Sequence, residues 1–381
     1  MKKILALALA LLMIVGCCAT LASCKKDEGE SDTIKIGLSG PLTGAASIYG
    51  QAVANSAQMA IDEINAAGGL NGIKFELLSY DDVHDPSKVS TNYAAMMEKG
   101  MHIALGCVTT GPCLEFAELS KDEVFFLTPS ASANDVPKYN NAYQMCFADG
   151  NQGGVAAAYV NSLGLDKVGV FYKSDEDYSK GIYDQFMANI SGDITVISAS
   201  FQGDASDFST QVDQLKGCEF IFMPIYYTPA SNFMFQAIDK VADDAVYYGC
   251  DGLDGIASVE GFSTIPQRVT MLSHFDAKSS AKNVQDYVEK YTDKYGADTL
   301  NQFGASAYDC VYAIYAALEA AMEDGEEISA DMTSVEFLEI LRDQFNGDFK
   351  FSGVTGSNIS WSASGFVNKQ AVSYVVKEEN N

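Results

Sequence analysis

Residues 34–82, IKIGLSGPLTGAASIYGQAVANSAQMAIDEINAAGGLNGIKFELLSYDD, spell out a strand, a glycine-rich turn, a helix and a second strand. Ile34, Ile36 and Leu38 form a short β-rich run that stops at Ser39, Gly40 and Pro41, where glycine and proline favour a turn over continued pairing. Ala57, Ala60, Ile61 and Ile64 recur at three- and four-residue spacing, which puts them on one apolar helix face, and Gly68 and Gly69 supply a left-handed stop. Ile73, Phe75 and Leu77 then alternate with polar neighbours as a strand does. The product is a βαβ unit with a right-handed crossover, and in sheets built this way ligands gather at the carboxyl ends of the strands.

A chain of 381 residues exceeds one ordinary core, so two domains are expected. Residues 1–23 read as a targeting segment: Lys2 and Lys3, an apolar run from Ile4 to Val15, then small residues before a cysteine. LASC at 21–24 looks like a bacterial lipobox with Cys24 as the lipid-bearing residue, and IVGC ending at Cys17 is a competing match. An uncleaved membrane helix is opposed by Gly16, Cys17, Cys18 and Thr20 in the same stretch. Residues 24–32 form a charged, core-free tether. Without residues 1–23, 22 basic side chains stand against 51 acidic ones, a net charge of about −29 that repels nucleic acid and anionic lipid headgroups. Six further cysteines (Cys107, Cys113, Cys146, Cys218, Cys250 and Cys310) form no CxxC, and several sit in strand or helix patterns as small apolar fillers.

After Asp82, Asp85 and Pro86 cap a helix that ends at Lys99 and Gly100, and residues 103–105 give a third strand. That strand runs into Cys107-Val108-Thr109-Thr110-Gly111-Pro112 and then a helix, so free backbone N–H groups and two hydroxyls gather where a helix begins. The geometry favours a carboxylate; Thr109 or Thr110 as a plain N-cap reads equally well. A fourth strand, 124–127, leads into TPSAS at 128–132, whose hydroxyls share the same edge. Residues 149–154, DGNQGG, read as flexible and polar, and the alternation then restarts: helices at 152–163, 179–190 and 206–216 among strands at 167–172, 194–200, 220–225, 246–249 and 269–273. Asp251 follows one of these strands beside Gly252; a carboxylate there suits an ammonium group, and a solvated turn aspartate is the plainer alternative. Helices at 284–295 and 303–322 read as a return to the first lobe, and β-structure at 349–353 and 360–376 suggests a third crossing near 353–356. The expected lobes are 33–149 with 278–353, and 150–277 with 354–377, joined by a three-segment hinge.

Enzyme signatures are missing: no P-loop, no complete GxGxxG after the first strand, no GxSxG and no HExxH. His84, His102 and His274 are far apart and read as structural or exposed, and no EF-hand loop appears. No enzyme, cofactor or metal is expected.

GPLTG, the YGQ that follows, INAAGGLNG, YDD, TPSAS, DFSTQV at 207–212 and AYDCVYA at 307–313 resemble, in order and spacing, the leucine/isoleucine/valine-binding proteins, the type I periplasmic solute receptors of ATP-driven (ABC) importers. The resemblance covers nearly all of the chain after residue 33. It implies an α/β fold of two Rossmann-like lobes, a Venus flytrap, that captures an amino acid, branched-chain first, outside the cytoplasm and delivers it to an ABC permease, with the ABC permease and ATPase subunits as partners. It further implies a carboxylate held by Thr110, Ser130 and Ser132 with backbone N–H groups, an ammonium held by Asp251 with help from Tyr226, and a side-chain pocket lined by Tyr49, Tyr178 and Tyr308. Where the family often carries glutamate this chain has the shorter Asp251, and where it often pairs two cysteines this chain has His84 and Thr109, so that disulfide is not expected. A monomer held to the membrane only by its lipid is implied. A sensory module of the same fold that signals to a membrane partner is the rival; a repressor would begin with a basic helix-turn-helix, which is missing.

Overall fold

The computed structural model describes residues 33–379; the leader at 1–23, Cys24 and the tether at 24–32 lie outside them. Strand β1 (Thr33–Gly40), helix α1 (Ser47–Ala66) and strand β2 (Lys74–Asp81) form the expected opening unit. β1 pairs in parallel with β2 on one side and β3 (Ile103–Cys107) on the other, and Ile34, Ile36 and Leu38 are fully buried, as the inner strand of a doubly covered sheet requires. Ala57, Ala60, Ile61 and Ile64 form the buried face of α1, which ends where Gly69 takes φ +73° and donates its N–H to the Ile64 carbonyl at 2.9 Å.

The first sheet is completed by α2 (Val89–Glu98), α3 (Thr110–Ser120), β4 (Phe126–Thr128) and β5 (Ala142–Gln144), in the order β2-β1-β3-β4-β5 with every pairing parallel. The second lobe contains α4 (Asp149–Ser162), β6 (Lys167–Lys173), α5 (Asp177–Asn189), β7 (Thr195–Phe201), α6 (Ser209–Leu215), β8 (Phe220–Met223), α7 (Tyr227–Ala237), β9 (Val246–Gly249) and β10 (Arg268–Ser273). Its sheet runs β11-β10-β9-β8-β6-β7, with β11 (Val372–Lys377) as an antiparallel edge. Strand order reverses between β1 and β3 in one lobe and between β6 and β8 in the other, and crevices at such reversals hold ligands.

Helices α8 (Lys282–Tyr295), α9 (Gln302–Glu323) and α10 (Ser334–Asn346) return to the first lobe. α9 lies along α1, and the Tyr287 hydroxyl of α8 meets that of Ser56 on α1 at 2.9 Å. None of the helices among the described residues is long and apolar enough to cross a membrane. All six cysteines in the described residues are buried thiols, and His84 Nδ1 meets the Thr109 hydroxyl at 2.9 Å.

The third crossing lies later than the sequence suggests. Residues 359–367 still run with the first lobe: Trp361 packs on Phe345 and Phe349 and donates its Nε1–H to the Gln144 carbonyl at 2.8 Å, and the Gln144 N–H reaches the Gly365 carbonyl at 3.0 Å. An indole needs burial and an acceptor together, and the edge of β5 offers both. The chain passes over at 368–371, where the Ala371 N–H bonds Asn151 Oδ1 at 2.9 Å. The boundary expected at 353 therefore moves to about residue 368.

Candidate ligand-binding site

Asp251 opens a single 3-10 turn (Asp251–Leu253) directly after β9 and is 1% exposed. Its Oδ1 accepts the hydroxyl of Tyr178 at 2.6 Å, and the Tyr178 oxygen in turn accepts the Gly252 N–H at 2.8 Å. Its own N–H donates to Gln152 Oε1 at 3.0 Å. Glycine is needed at 252, because a Cβ there would stand 2.6 Å from the Tyr178 oxygen and 3.0 Å from the Ile225 carbonyl oxygen. The turn is thus held from α4, α5 and the end of β8. Burial pushes the Asp251 carboxyl up to about 6 although the Tyr178 hydroxyl donates to it, and its Oδ2 has no partner among the described residues.

Asp149 was not legible as a site residue, because DGNQGG resembles a linker. It is the first residue of α4, 2% exposed, with Gln152 Nε2 at 3.4 Å from its Oδ1 and no partner for Oδ2 among the described residues. Burial, and with it the charge of Asp251, pushes its carboxyl well above the usual range. The available signal was an acid at the start of a helical pattern rather than within a loop. Two buried acids in electrostatic contact, each with an orphan oxygen, require a cation if both are to ionise.

The first lobe contributes the start of α3. The Thr110 hydroxyl is buried without a partner among the described residues, and the leading N–H groups of the helix point outward from its end. Thr109 is not a side-chain cap; its hydroxyl pairs with His84 Nδ1 at 2.9 Å. Ser130 donates to the Val108 carbonyl at 2.6 Å and so braces the two turns against each other. Ser132 lies on the acid side, its hydroxyl at 3.5 Å from Gln152 Nε2. Of the three hydroxyls expected to meet an anion, Thr110 is the one left free.

Tyr226 stacks on Tyr178 with ring centroids 4.5 Å apart and planes 6° from parallel. Tyr49 reaches across from α1, donating to the Gly252 carbonyl at 2.5 Å and accepting the Tyr227 N–H at 3.1 Å. Burial raises the ionisation of Tyr49, Tyr178 and Tyr226 well above the ordinary range, which keeps all three phenols as donors. Tyr308 is not brought to this group. It lies one helical turn from Tyr312, and both phenols donate to Glu63 on α1, at 2.7 and 2.9 Å. His84 and Glu176, in contrast, stand at the cleft, their Nε2 and Oε1 3.0 Å apart across the two lobes.

Two doubly wound lobes that meet at their strand ends, with an acid pair on one side and a helix start on the other, define a two-lobed solute-binding fold. The chain belongs to the periplasmic binding protein family, whose model matches residues 33–368. It is 27% identical over 319 residues to the leucine-, isoleucine-, valine-, threonine- and alanine-binding protein of Pseudomonas aeruginosa, covering 81% of this chain and 84% of that one. The branched-chain amino acid transporter substrate-binding protein LivJ of Streptococcus pneumoniae, in complex with isoleucine, superimposes with a TM-score of 0.78 at 25% identity, covering 91% of this chain and 99% of that one. A solute-binding protein of an ABC transporter from R. palustris in complex with 4-hydroxybenzoate shares the fold at a TM-score of 0.76 and 17% identity, covering 92% and 94%. The protein is a solute-binding protein and not an enzyme.

Proposed function

We propose that the protein captures a free amino acid, branched-chain by preference, in the interlobe cleft and delivers it to an ABC permease. The observation that carries this reading is that Asp149 and Asp251 in one lobe each keep an orphan oxygen while Thr110, at the start of α3 in the other lobe, keeps a free hydroxyl. An ammonium satisfies the first pair and a carboxylate the second, and a zwitterion carries both on one carbon. A simple carboxylate, such as the ligand of the R. palustris structure, leaves both acids without a counter-ion. The aromatic wall of Tyr178 and Tyr226 suits an apolar side chain, in keeping with what the P. aeruginosa and S. pneumoniae relatives are named for. The ligand set is Thr110, Asp149, Tyr178, Tyr226 and Asp251, with Tyr49, Ser130 and Ser132 holding the walls. We propose further that a lipid on Cys24 and the tether at 24–32 hold this domain at the outer face of the membrane, which an intact mass beginning at a diacylated Cys24 tests.

Calorimetric titration with leucine and with its 2-keto acid tests the ligand class. The amino acid is expected to bind at least about thirtyfold more tightly, since an unpaired buried charge costs about 2 to 5 kcal/mol. Equal affinities would overturn the reading.

A further inference from the structure

His84 and Glu176 belong to different lobes and meet at the cleft. His84 follows β2, and its Nδ1 is 2.9 Å from the Thr109 hydroxyl, one residue from Thr110. Glu176 immediately precedes α5, two residues from Tyr178, and its Oε1 lies 3.0 Å from His84 Nε2. A carboxylate only accepts, so Nε2–H is the donor across the gap. Both ring nitrogens are thereby engaged, and the imidazole is left to act as a wall. Its ring stands edge-on to Tyr226, centroids 5.2 Å apart, and Tyr226 lies flat on Tyr178, whose hydroxyl holds Asp251. Following the tyrosines outward from the acid pair therefore leads to His84. On the outer side a cavity of about 310 Å³ continues between the lobes, lined by Ala45, Ala46, His84, Glu176, Tyr226 and Phe201 among others. The pair is shielded, with side-chain exposures of 29% for His84 and 12% for Glu176, so it is more than a screened surface contact.

We propose that His84 and Glu176 are specificity-determining residues: their contact bars the side-chain end of the cleft and limits the size of the amino acid that fits when the lobes close. The inference rests on the amino-acid reading above. A short aliphatic side chain ends beneath the imidazole and leaves the bar intact. A longer one must separate His84 from Glu176 and enter the outer cavity. Removing either partner is expected to join the two spaces and favour larger ligands over smaller ones.

The test titrates alanine, valine, leucine, methionine and phenylalanine into wild-type protein, His84→Ala, Glu176→Ala and the double variant. The ratio of phenylalanine to alanine affinity is expected to rise by about tenfold or more in each single variant, the scale on which a pocket distinguishes methylenes. The double variant should match the singles, because two halves of one contact are lost only once. A uniform loss across the panel, an unchanged ratio, or additive effects would overturn the inference. Thermal melts check folding; if His84→Ala melts without cooperativity, Glu176→Ala, at a helix entry, decides alone. Wild-type protein that binds none of the five overturns the amino-acid reading and this inference with it, whereas normal wild-type binding with unaltered variant ratios overturns only the inference.

Discussion

The hydroxyl of Tyr178 donates to Asp251 Oδ1 at 2.6 Å while accepting the Gly252 N–H at 2.8 Å, so one phenol both aims the carboxylate and closes the turn that carries it. Tyr178→Phe removes a donor to an acid that burial already disfavours, at about 1.5 to 3 kcal/mol for a hydrogen bond to a charged group. Calorimetry should show amino-acid affinity falling roughly tenfold or more by the same principle. An unchanged affinity would mean that the phenol only packs.

The acid pair predicts that neither carboxylate suffices alone. Asp251→Ala should abolish most binding, while Asp251→Glu, which keeps the charge, should retain much of it. Asp149→Asn leaves the shape and takes the charge, and should weaken the amino acid by about thirtyfold while affecting its 2-keto acid far less. Equal effects on both ligands would place Asp149 in the helix start alone.

Binding should be pH-dependent in a defined direction. Asp251 is raised from 3.8 to about 6 by burial, and Asp149 is raised as well, so the ligand-free folded state holds protons that the unfolded chain has released. That contribution to stability is full below the unfolded value of 3.8 and is lost as pH rises through about 6. Capturing an ammonium needs the charged acids, so the sign for affinity is opposite. Dissociation constants should be about tenfold weaker at pH 5 than at pH 7, with proton release that varies with buffer ionisation heat. A flat profile over this range would contradict the assigned site.

At the hinge, Asp309 is 1% exposed and accepts the N–H groups of Val354 and Thr355, each at 2.8 Å, together with the Thr355 hydroxyl, which also receives the Lys369 amine. These contacts tie α9 to residues 354–355 and, through Thr355, to Lys369 in the third crossing. Asp309→Ala leaves two buried N–H groups unpaired, which costs about 3 kcal/mol or more. Urea unfolding should register it; a loss under about 1 kcal/mol would show that the network carries little of the stability.

Gly252→Ala should cost both stability and binding, since its Cβ meets the Ile225 carbonyl oxygen at 3.0 Å and the Tyr178 oxygen at 2.6 Å. A crystal structure of the variant should show Tyr178 displaced from Asp251. Binding at wild-type affinity would show that the turn has slack.

The sequence by itself determined the layered α/β fold, because apolar period and glycine punctuation are local properties: Ile34, Ile36 and Leu38 mark a strand, and Ala57, Ala60, Ile61 and Ile64 one helix face. It also marked Thr110 and Asp251, since both stand at ends of strands where such sheets hold ligands. Which of the candidate groups remain free was decided only by tertiary structure. Ser130 is spent on the Val108 carbonyl and Tyr308 on Glu63, partners 22 and 245 residues away in sequence. Asp149 looked like linker because nothing local reports burial; its environment comes from Ser132 and Asp251. The crossing at 368–371 was hidden for the same reason, since Trp361 finds its acceptor 217 residues back, at Gln144. Hydrogen bonds between distant segments leave no periodic trace in a sequence, and they settle which polar atoms are left to meet a ligand.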